Sequence, residues 1–390
     1  MHGGAFRRTL VAKINIVDLL PETARMCRKP SCTSIAYYIT AHGYGHGVRS
    51  ADIIRAFIRL YPEIDVHVVT TLPESFLRNR IGSGKISIRV RDFDIGMVQL
   101  DSIRVDVAAT LEKALAFYAA RERLAADEVA FLKEAKINTV VADIPSLPIE
   151  AAALAGIHSV AVGNFSWDWI YSEFLADDRR WLPIVEMFRE QYARTNLLLR
   201  LPFHDEMAAF PQKKDIPLVA RPGTPCREKL ARITNCDPEK KWILLSFTTL
   251  DLSDEALFRI EQIEECEFLT VLPLEWRRSN LHAVAREDVS FSDTLASVDA
   301  VISKPGFGIL SDCIVNNKPL IYAERTNFRE YPVLEASIRK YLKHVHISSE
   351  DLYHGNLEPS LCAVESAPAP MENLPAGGDE IAARSYLGDY

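Results

Sequence analysis

Two histidines lie within a glycine-rich turn near the start of the chain. The turn reads His42-Gly43-Tyr44-Gly45-His46-Gly47 and separates a short apolar run from a segment with helical spacing. Glycines let the backbone approach a ligand closely, and the N–H groups that open a helix attract anions. A neutral imidazole can take a proton from a hydroxyl near neutral pH. His46 is therefore a candidate general base, and we predict that His42, Gly43 and Gly45 contact substrate. The alternative is a structural role for both histidines.

A second glycine-rich turn with the same features lies in the C-terminal half. It reads Ser303-Lys304-Pro305-Gly306-Phe307-Gly308 and also lies between an apolar run and a helical segment. Lys304 adds a positive charge, so a diphosphate fits this turn. Asp312, one helical turn further on, is within a short reach of ribose hydroxyls. The alternative is an ordinary strand–helix turn. The predicted nucleotide contacts beside Lys304 and Asp312 are Gly306, Phe307 and Gly308.

Polar side chains follow three more predicted strands. Asp143 ends one of them, and we predict that it orients and charge-stabilises His46; a helix cap is the alternative. Residues 164–169 combine aromatic rings with small polar groups, which suits a sugar, although core aromatics preceded by an N-cap serine explain them equally well. Residues 324–330 are densely polar, which suits sugar hydroxyls; the alternative is a solvated loop. The candidate substrate contacts in these two segments are Ser166, Trp167, Asp168, Arg325, Asn327 and Glu330.

Neither glycine-rich segment of the first half matches a dinucleotide or P-loop pattern. The first turn has the order G-x-G-x-G, and the second predicted strand ends in Thr70-Thr71 rather than an acid. In the pair Gly84-Lys85 the next residue is Ile86, where a P-loop requires Ser or Thr. The histidine turn is therefore not predicted to bind NAD, FAD or the phosphates of a P-loop enzyme.

Apolar runs alternate with helical segments along most of the chain. This βα alternation predicts an α/β protein with two doubly wound, Rossmann-like domains facing across a cleft. Seven Pro and Gly residues in the segment 202–240 indicate a linker. The predicted domains are an extension over 1–33, an N-terminal α/β domain over 34–205, a linker over 206–240, a C-terminal α/β domain over 241–357 and a tail over 358–390. Within the tail, 358–375 is predicted as loop and 379–387 as a final helix.

Composition narrows the classes of partner. The 390 residues carry a net charge of -8, which argues against a broad nucleic-acid surface. Seven scattered cysteines without a Cys-x-x-Cys pair favour a reducing, cytoplasmic setting and no zinc or disulfide scaffold. No apolar run predicts a transmembrane segment, and no signal peptide is apparent. Peripheral contact with a membrane stays open, as does the oligomeric state.

Four segments together resemble a known family. Residues 39–49 resemble the G-H-G-x-G-H-x-x-R opening of glycosyltransferase-like proteins that include the N-terminal half of L-arabinokinases. The same proteins have counterparts of N-F-S-W-D-W-I-Y at 164–171, of S-K-P-G-F-G at 303–308 and of F-R-E-Y-P-V-L at 328–334. The resemblance runs from about residue 34 to 345. More distantly, the layout is similar to MurG-like transferases and UDP-glycosyltransferases of the GT-B fold.

The resemblance implies where ligands bind. The donor is expected on the C-terminal domain, with its diphosphate near Gly306 to Gly308, and the acceptor on the N-terminal domain, without a metal or cofactor. His46 matches the loop histidine that acts as base, and Arg49 falls on the arginine of the motif and is a further predicted substrate contact. A final helix crossing back to the first domain is also typical. Two departures are Asp312, where relatives often have Glu, and Ile309, where Thr is common. No kinase segment follows, so arabinokinase activity itself is not implied.

Three hypotheses follow for the function. The first is an inverting, metal-independent glycosyltransferase, hexosyltransferase-like, that moves a sugar from a nucleotide-diphosphate sugar to a hydroxyl acceptor. The second is a nucleotide-sugar epimerase or hydrolase of the same fold. The third is a non-catalytic nucleotide-sugar-binding protein, since a fold does not by itself fix a function.

Overall fold

The computed structural model describes residues 34–100, 105–325 and 328–387. The predicted extension over 1–33 lies outside these residues. Two parallel sheets with flanking helices dominate the described part, one in each half of the chain. The α/β prediction, with two doubly wound sheets, is therefore confirmed.

The first half builds a seven-stranded parallel sheet in the order β3-β2-β1-β6-β7-β8-β9, with a small antiparallel pair, β4-β5, beside it. Its central strands β1, β6 and β7 are buried and largely apolar, as strands covered on both faces must be, whereas β3 and β9 at its two edges are partly exposed. The elements are β1 Ser34–Ile39, α1 Tyr44–Leu60, β2 Asp65–Val69, α2 Glu74–Ile81, β3 Ile86–Arg89, β4 Val98–Gln99, β5 Val105–Asp106, α3 Val107–Glu134, β6 Thr139–Asp143, α4 Leu147–Ala155, β7 His158–Gly163, α5 Trp167–Tyr171, α6 Leu182–Tyr192, β8 Leu197–Arg200 and β9 Lys213–Asp215.

The second half builds a six-stranded parallel sheet in the order β12-β11-β10-β13-β14-β15. Serine caps open several of its helices; the Ser253 side chain, for example, accepts from the N–H of Ala256. The elements are α7 Arg227–Thr234, β10 Lys241–Ser246, α8 Asp254–Glu261, β11 Cys266–Val271, β12 Leu281–Val284, α9 Phe291–Ser297, β13 Ala300–Ser303, α10 Phe307–Val315, β14 Leu320–Ala323, α11 Tyr331–Tyr341, β15 His344–Ile347, α12 Ser349–His354, α13 Glu358–Ser366 and α14 Gly378–Ser385.

Two segments differ from the sequence prediction. The predicted linker contains β9, which completes the first sheet by pairing with β8, and also contains α7. The predicted loop over 358–375 begins with α13, so that prediction is wrong for Glu358–Ser366. Pro359 misled it: proline in the first turn of a helix removes an N–H that has no partner in the helix anyway. The boundaries of the domains themselves stay a prediction.

The last helix returns to the first half of the chain. Ala382, Ala383 and Tyr386 are fully buried in the same core as Phe57 of α1. The Tyr386 hydroxyl lies 3.3 Å from that of Tyr37 in β1. Ion pairs join Arg59 to Glu380 and Arg221 to Asp379. Residues at the end of the chain therefore complete a core that is built mainly from its first 220 residues.

None of the helices within the described residues is long and apolar enough to cross a membrane. The five cysteines of the described part, at positions 226, 236, 266, 313 and 362, are all free thiols.

Replacement of Tyr386 by alanine tests the contribution of the returning helix. We expect Tyr386→Ala to lower the free energy of unfolding by about 3 kcal/mol, because a fully buried aromatic side chain leaves a cavity. Chemical denaturation followed by circular dichroism measures the change. Met371→Ala is the control, since Met371 is 74% exposed and its loss should change stability by less than about 0.5 kcal/mol. Equal effects of the two substitutions would contradict the packing.

Candidate active site

The histidine turn, Asp143 and the segment after β7 lie at one edge of the first sheet. Strands β1, β6 and β7 are parallel neighbours, and the register places Ile39 beside Asp143 at their carboxyl ends. In open α/β sheets this edge is where ligands bind. The fold therefore brings together His46 and Asp143, which are 97 positions apart in sequence, and Arg49 and Asn164, which are 115 apart.

Asp143 is the centre of a buried polar network at this edge. Its carboxylate accepts from Arg49 Nε at 2.7 Å through Oδ2 and from Arg49 Nη2 through Oδ1, a two-pronged arrangement. Ser50 Oγ donates to Oδ2 at 2.7 Å, and His46 Nδ1 lies 2.9 Å from Oδ1. Arg49 also donates to the amide oxygen of Asn164. The predicted neighbourhood of His46 and Asp143 is thus present in the structure.

The charges of this network are fixed by burial and by Arg49. Burial alone raises the pKa of Asp143, but the Arg49 guanidinium and then His46 outweigh it and hold that pKa well below its usual range. Burial, and next the charge of Arg49, lower the pKa of His46 from 6.5, while Asp143 opposes them. At neutral pH, Asp143 is therefore an anion and His46 a neutral imidazole.

Hydrogen bonding decides which nitrogen of His46 carries the proton. His46 Nδ1 is 2.9 Å from both Asp143 Oδ1 and Arg49 Nη2. An ionised carboxylate can only accept, so a lone pair on Nδ1 would repel Oδ1, whereas a proton on Nδ1 makes a charge-assisted hydrogen bond to it. We therefore assign the proton to Nδ1, which leaves the lone pair on Nε2 to act as a base.

Arg49 is held inside this network, and its predicted contact with substrate stays a prediction. Its guanidinium is buried among Asp143, His46 and Asn164, and the residue is only 8% exposed. A buried carboxylate requires such a partner, because an unpaired charge in the interior is very unfavourable. Arg49 therefore positions His46 and Asp143.

His42 is held by the chain that follows β3. Its Nδ1 accepts from the backbone N–H of Met97 at 3.3 Å, and its ring lies against Trp167 at a centroid distance of 5.7 Å. Gly96 has a φ of 65°, and a Cβ atom there would lie 2.6 Å from His42 Nδ1. Burial and the nearby cations lower the pKa of His42 to about 3. His42 is thus a neutral ring that keeps its proton on Nε2, a donor rather than a base.

The aromatic segment after β7 packs into the core, as the alternative interpretation had it, and its contacts with a sugar stay a prediction. Trp167 is 1% exposed and stacks on Tyr171 at 5.3 Å, within an apolar cluster of the first half. Asp168 is buried, with Arg189 Nε 3.7 Å from its Oδ2, and Ser166 is buried without capping α5 through its side chain. The segment therefore supports His42 from behind.

The two glycine turns touch each other. A Cβ atom on Gly308 would lie only 3.6 Å from the Cα of Gly45. Beside them, Phe307 stacks on Phe165 with ring centroids 5.8 Å apart and planes inclined by 20°. The turns that are 263 positions apart in sequence thus face each other at the start of α1 and of α10.

Both helices begin without a side-chain cap. Gly43 precedes α1 and Gly306 precedes α10, both with an extended backbone, and neither first turn holds an acidic residue. Uncapped helix N-termini carry partial positive charge. Two such ends that face each other form a place where an anion is favoured.

Charged side chains of the second half surround this place. Lys304 and Arg325 both lower the pKa of His42, which shows that their charges reach the first glycine turn. Glu330 is a half-buried acid whose pKa burial raises, with Arg325 and Lys304 opposing. The Arg325 guanidinium lies over the ring of Phe328 at 3.0 Å. Asn327 lies outside the described residues, so its predicted contact stays a prediction.

Asp312 is a buried acid of helix α10. It is 8% exposed and its charge interacts with Arg80 and Asp52 of the first half. Burial raises its pKa to about 7, Arg80 lowers it and Asp52 raises it further. Asp312 therefore lies against helices α1 and α2 of the other half, and its predicted ribose contact stays a prediction.

Sequence reasoning missed the residues that support the histidines. Asn164 was read as part of a sugar-binding segment, yet its amide joins Arg49 to the backbone of Pro202. Asp94 was not singled out at all; it is buried and its pKa is raised to about 7, mainly by burial. A dense acidic and glycine segment directly after a strand, Asp92 to Gly96, was the available signal.

The facing sheets and the site between them define a protein of the GT-B fold, as the motifs predicted. Solved structures with this architecture include the kitacinnamycin glycotransferase, 15% identical with a TM-score of 0.57, covering 92% of this chain and 97% of that one. Arabidopsis thaliana UGT89C1 complexed with UDP-L-rhamnose is 12% identical, with a TM-score of 0.56 and coverages of 92% and 94%. A Listeria monocytogenes structure assigned as a UDP-N-acetylglucosamine 2-epimerase is 14% identical, with a TM-score of 0.55 and coverages of 91% and 94%.

The sequence relationship is more specific. The chain is 32% identical over 354 residues to L-arabinokinase of Arabidopsis thaliana, as its four motifs predicted. The aligned part is 89% of this chain but only 33% of the relative, so the chain spans about a third of that protein's length. No family model matches the chain.

Gly96→Ala tests the support of His42. The new methyl group would meet the imidazole, so we expect a loss of stability clearly larger than the roughly 1 kcal/mol that a left-handed glycine position alone costs. The matched control is Gly156→Ala, at a φ of 70° but with no atom within 4 Å of the added Cβ. Denaturation midpoints of the two variants give the comparison, and equal losses would show that Gly96 does not hold His42.

Asp312→Asn tests the buried acid between the halves. Because the folded pKa of Asp312 is raised to about 7, the folded state keeps a proton that the unfolded chain loses near pH 4. Stability from this group is present below pH 4 and is lost as the pH rises to 7. We expect the free energy of unfolding of the variant to exceed that of the wild type by on the order of 2 kcal/mol at pH 8. The difference should shrink as the pH falls towards 4.

The pH dependence of thermal or chemical denaturation measures this difference. Asp251→Asn is the control, since Asp251 is exposed and its removal should leave the pH profile unchanged. A wild-type profile that is parallel to the Asp312→Asn profile would refute the raised pKa.

Proposed function

We propose that the chain transfers a sugar from a nucleotide-diphosphate sugar to a hydroxyl acceptor. The observation that carries the proposal is the pairing, at one place, of a neutral His46 held by Asp143 with two facing, uncapped helix N-termini beside Lys304. The first arrangement suits removal of a proton from an acceptor. The second suits the growing negative charge of a departing diphosphate.

The diphosphate is assigned to the start of α10. Backbone N–H groups at Phe307 and Gly308 open this nine-residue helix, and Gly306 presents no side chain in front of it. Lys304 lies directly before the turn, and Arg325 adds a second cation near it. This charge balances the leaving group through the protein itself, so we propose that neither a metal nor a cofactor takes part.

The acceptor is assigned to the side of the first half. His46 Nε2 would take the proton from its hydroxyl, and Asp143 would stabilise the imidazolium that forms. The oxygen would then attack the anomeric carbon on the face opposite to the diphosphate, which inverts its configuration. His42, through Nε2–H, and Glu330 are the groups proposed to orient sugar hydroxyls beside the reacting bond.

Similar proteins support the class of donor. UGT89C1 was solved with UDP-L-rhamnose, and other structures of this fold are glycosyltransferases. The likeness to the Listeria structure favours, as a second candidate, a nucleotide-sugar epimerase or hydrolase. The two candidates differ in whether a separate hydroxyl acceptor is needed.

His46→Ala is the decisive substitution. We expect turnover to fall about 100-fold or more, because a general base typically contributes 10²–10⁴-fold, while the affinity for the donor is kept. Turnover of the wild type should decline as the pH falls through the pKa of His46, which lies below 6.5, because the protonated ring cannot act as a base. Binding is followed by thermal shift against a panel of nucleoside diphosphates and nucleotide sugars, and turnover by product analysis with hydroxyl acceptors.

His354→Ala is the control, since His354 is exposed at the end of α12 and remote from this network. Unchanged turnover of His46→Ala would show that His46 is not the base. Release of free sugar or an epimer without any acceptor would favour the second candidate. Tight donor binding with no reaction under either condition would identify a binding protein.

A further inference from the structure

A second group of reactive side chains lies apart from the glycine turns. Cys236 follows α7, Glu267 lies in β11 and His282 in β12. One potential ligand atom of each lies within 4.8 Å of those of the other two. The three residues come from separate segments, so the second sheet has brought them together.

The group is located at the amino-terminal ends of the strands, at the end of the sheet opposite to Lys304. Glu267 is the second residue of β11 and pairs with Trp242 near the start of β10. His282 is likewise the second residue of β12. The amino-terminal ends of parallel strands lie at the same end of a sheet, whereas Lys304 follows the carboxyl end of β13. The group is therefore separate from the proposed active site.

The three side chains of this group are largely buried and close to one another. Cys236 and Glu267 are 3% and 5% exposed, and the side chain of His282 is 14% exposed. His282 Nε2 lies 2.7 Å from one oxygen of Glu267. The other oxygen has Lys240 Nζ at 3.4 Å and the backbone N–H of Asp237 at 3.4 Å. The Lys240 side chain is partly exposed, so its ammonium group can turn into solvent.

A thiolate, an imidazole and a carboxylate together are the ligand types that Zn²⁺ takes in proteins. In a tetrahedral site such atoms lie about 3.3–3.7 Å apart. The separations of the potential ligand atoms in the structure lie on both sides of that range, so shifts of about 1 Å or less would bring the atoms to a common ion. Three protein ligands leave the fourth position to water.

We propose that Cys236, Glu267 and His282 bind one divalent transition-metal ion, Zn²⁺ in particular. The ion ties the end of α7 to β11 and to β12, which is the edge strand of the second sheet. On binding, the thiol of Cys236 loses its proton to solvent and Lys240 leaves Glu267. No redox change is involved.

Co²⁺ is the probe for this site, because a thiolate ligand gives it an intense ligand-to-metal charge-transfer absorption. The full-length protein, treated with chelator and then titrated with Co²⁺ under reducing conditions, should show this absorption with a single equivalent bound. Zn²⁺ should abolish it by displacement and should raise the melting temperature, since the ion binds only the folded state. The control is Cys362→Ser, at an exposed thiol of α13, and it should behave like the wild type.

Two substitutions decide the outcome. Cys236→Ser should lose the charge-transfer absorption, and His282→Gln should keep the fold while weakening the affinity at least about tenfold. Circular dichroism checks that both fold; if Cys236→Ser does not, His282→Gln alone decides. Wild-type protein that binds no Co²⁺ at micromolar concentration overturns the proposal. An unchanged absorption and affinity in folded Cys236→Ser, or in His282→Gln, also overturns the proposal. A site elsewhere, for example at the N-terminal cysteines, would give that second result.

Discussion

The buried carboxylate of Asp143 is the constraint on which the site depends. It is fully buried, and a charge in that position is stable only while Arg49, Ser50 and His46 surround it. Removal of one partner from such a pair typically costs about 3–5 kcal/mol. Because Arg49 belongs to α1 and Asp143 ends β6, the same contacts that satisfy the charge also fix the start of α1. The orientation of His46 follows from that.

The second constraint is the contact between the two halves. Gly45 and Gly308 approach so closely that a Cβ atom on either would already be in van der Waals contact with the backbone of the other turn. The stacked pair Phe165 and Phe307 lies beside them, and Phe307 packs against the cores of both halves. The returning helix α14 adds a further link to α1. The proposed base and the proposed diphosphate site are therefore placed relative to each other by backbone contact rather than by long side chains.

Local pattern predicted most of the framework. The alternation of apolar runs with helical segments predicted both parallel sheets, because burial and helical spacing leave a strong period in the sequence. Short elements were missed where the period is too brief to register, as at β9 and β12. Prolines concealed α13. The expectation of paired glycine turns followed from strand–turn–helix order alone.

Side-chain direction could not be predicted in the same way. The sequence by itself determined the two doubly wound sheets, both glycine turns and the nearness of His46 to Asp143, since parallel strands end at a common edge. Only the tertiary structure decided that Arg49 and Trp167 face inward and that Asp312 faces Asp52 and Arg80. Residue type and spacing do not distinguish a polar group that meets a ligand from one that satisfies a buried charge. That choice is made by what packs against it from distant segments of the chain.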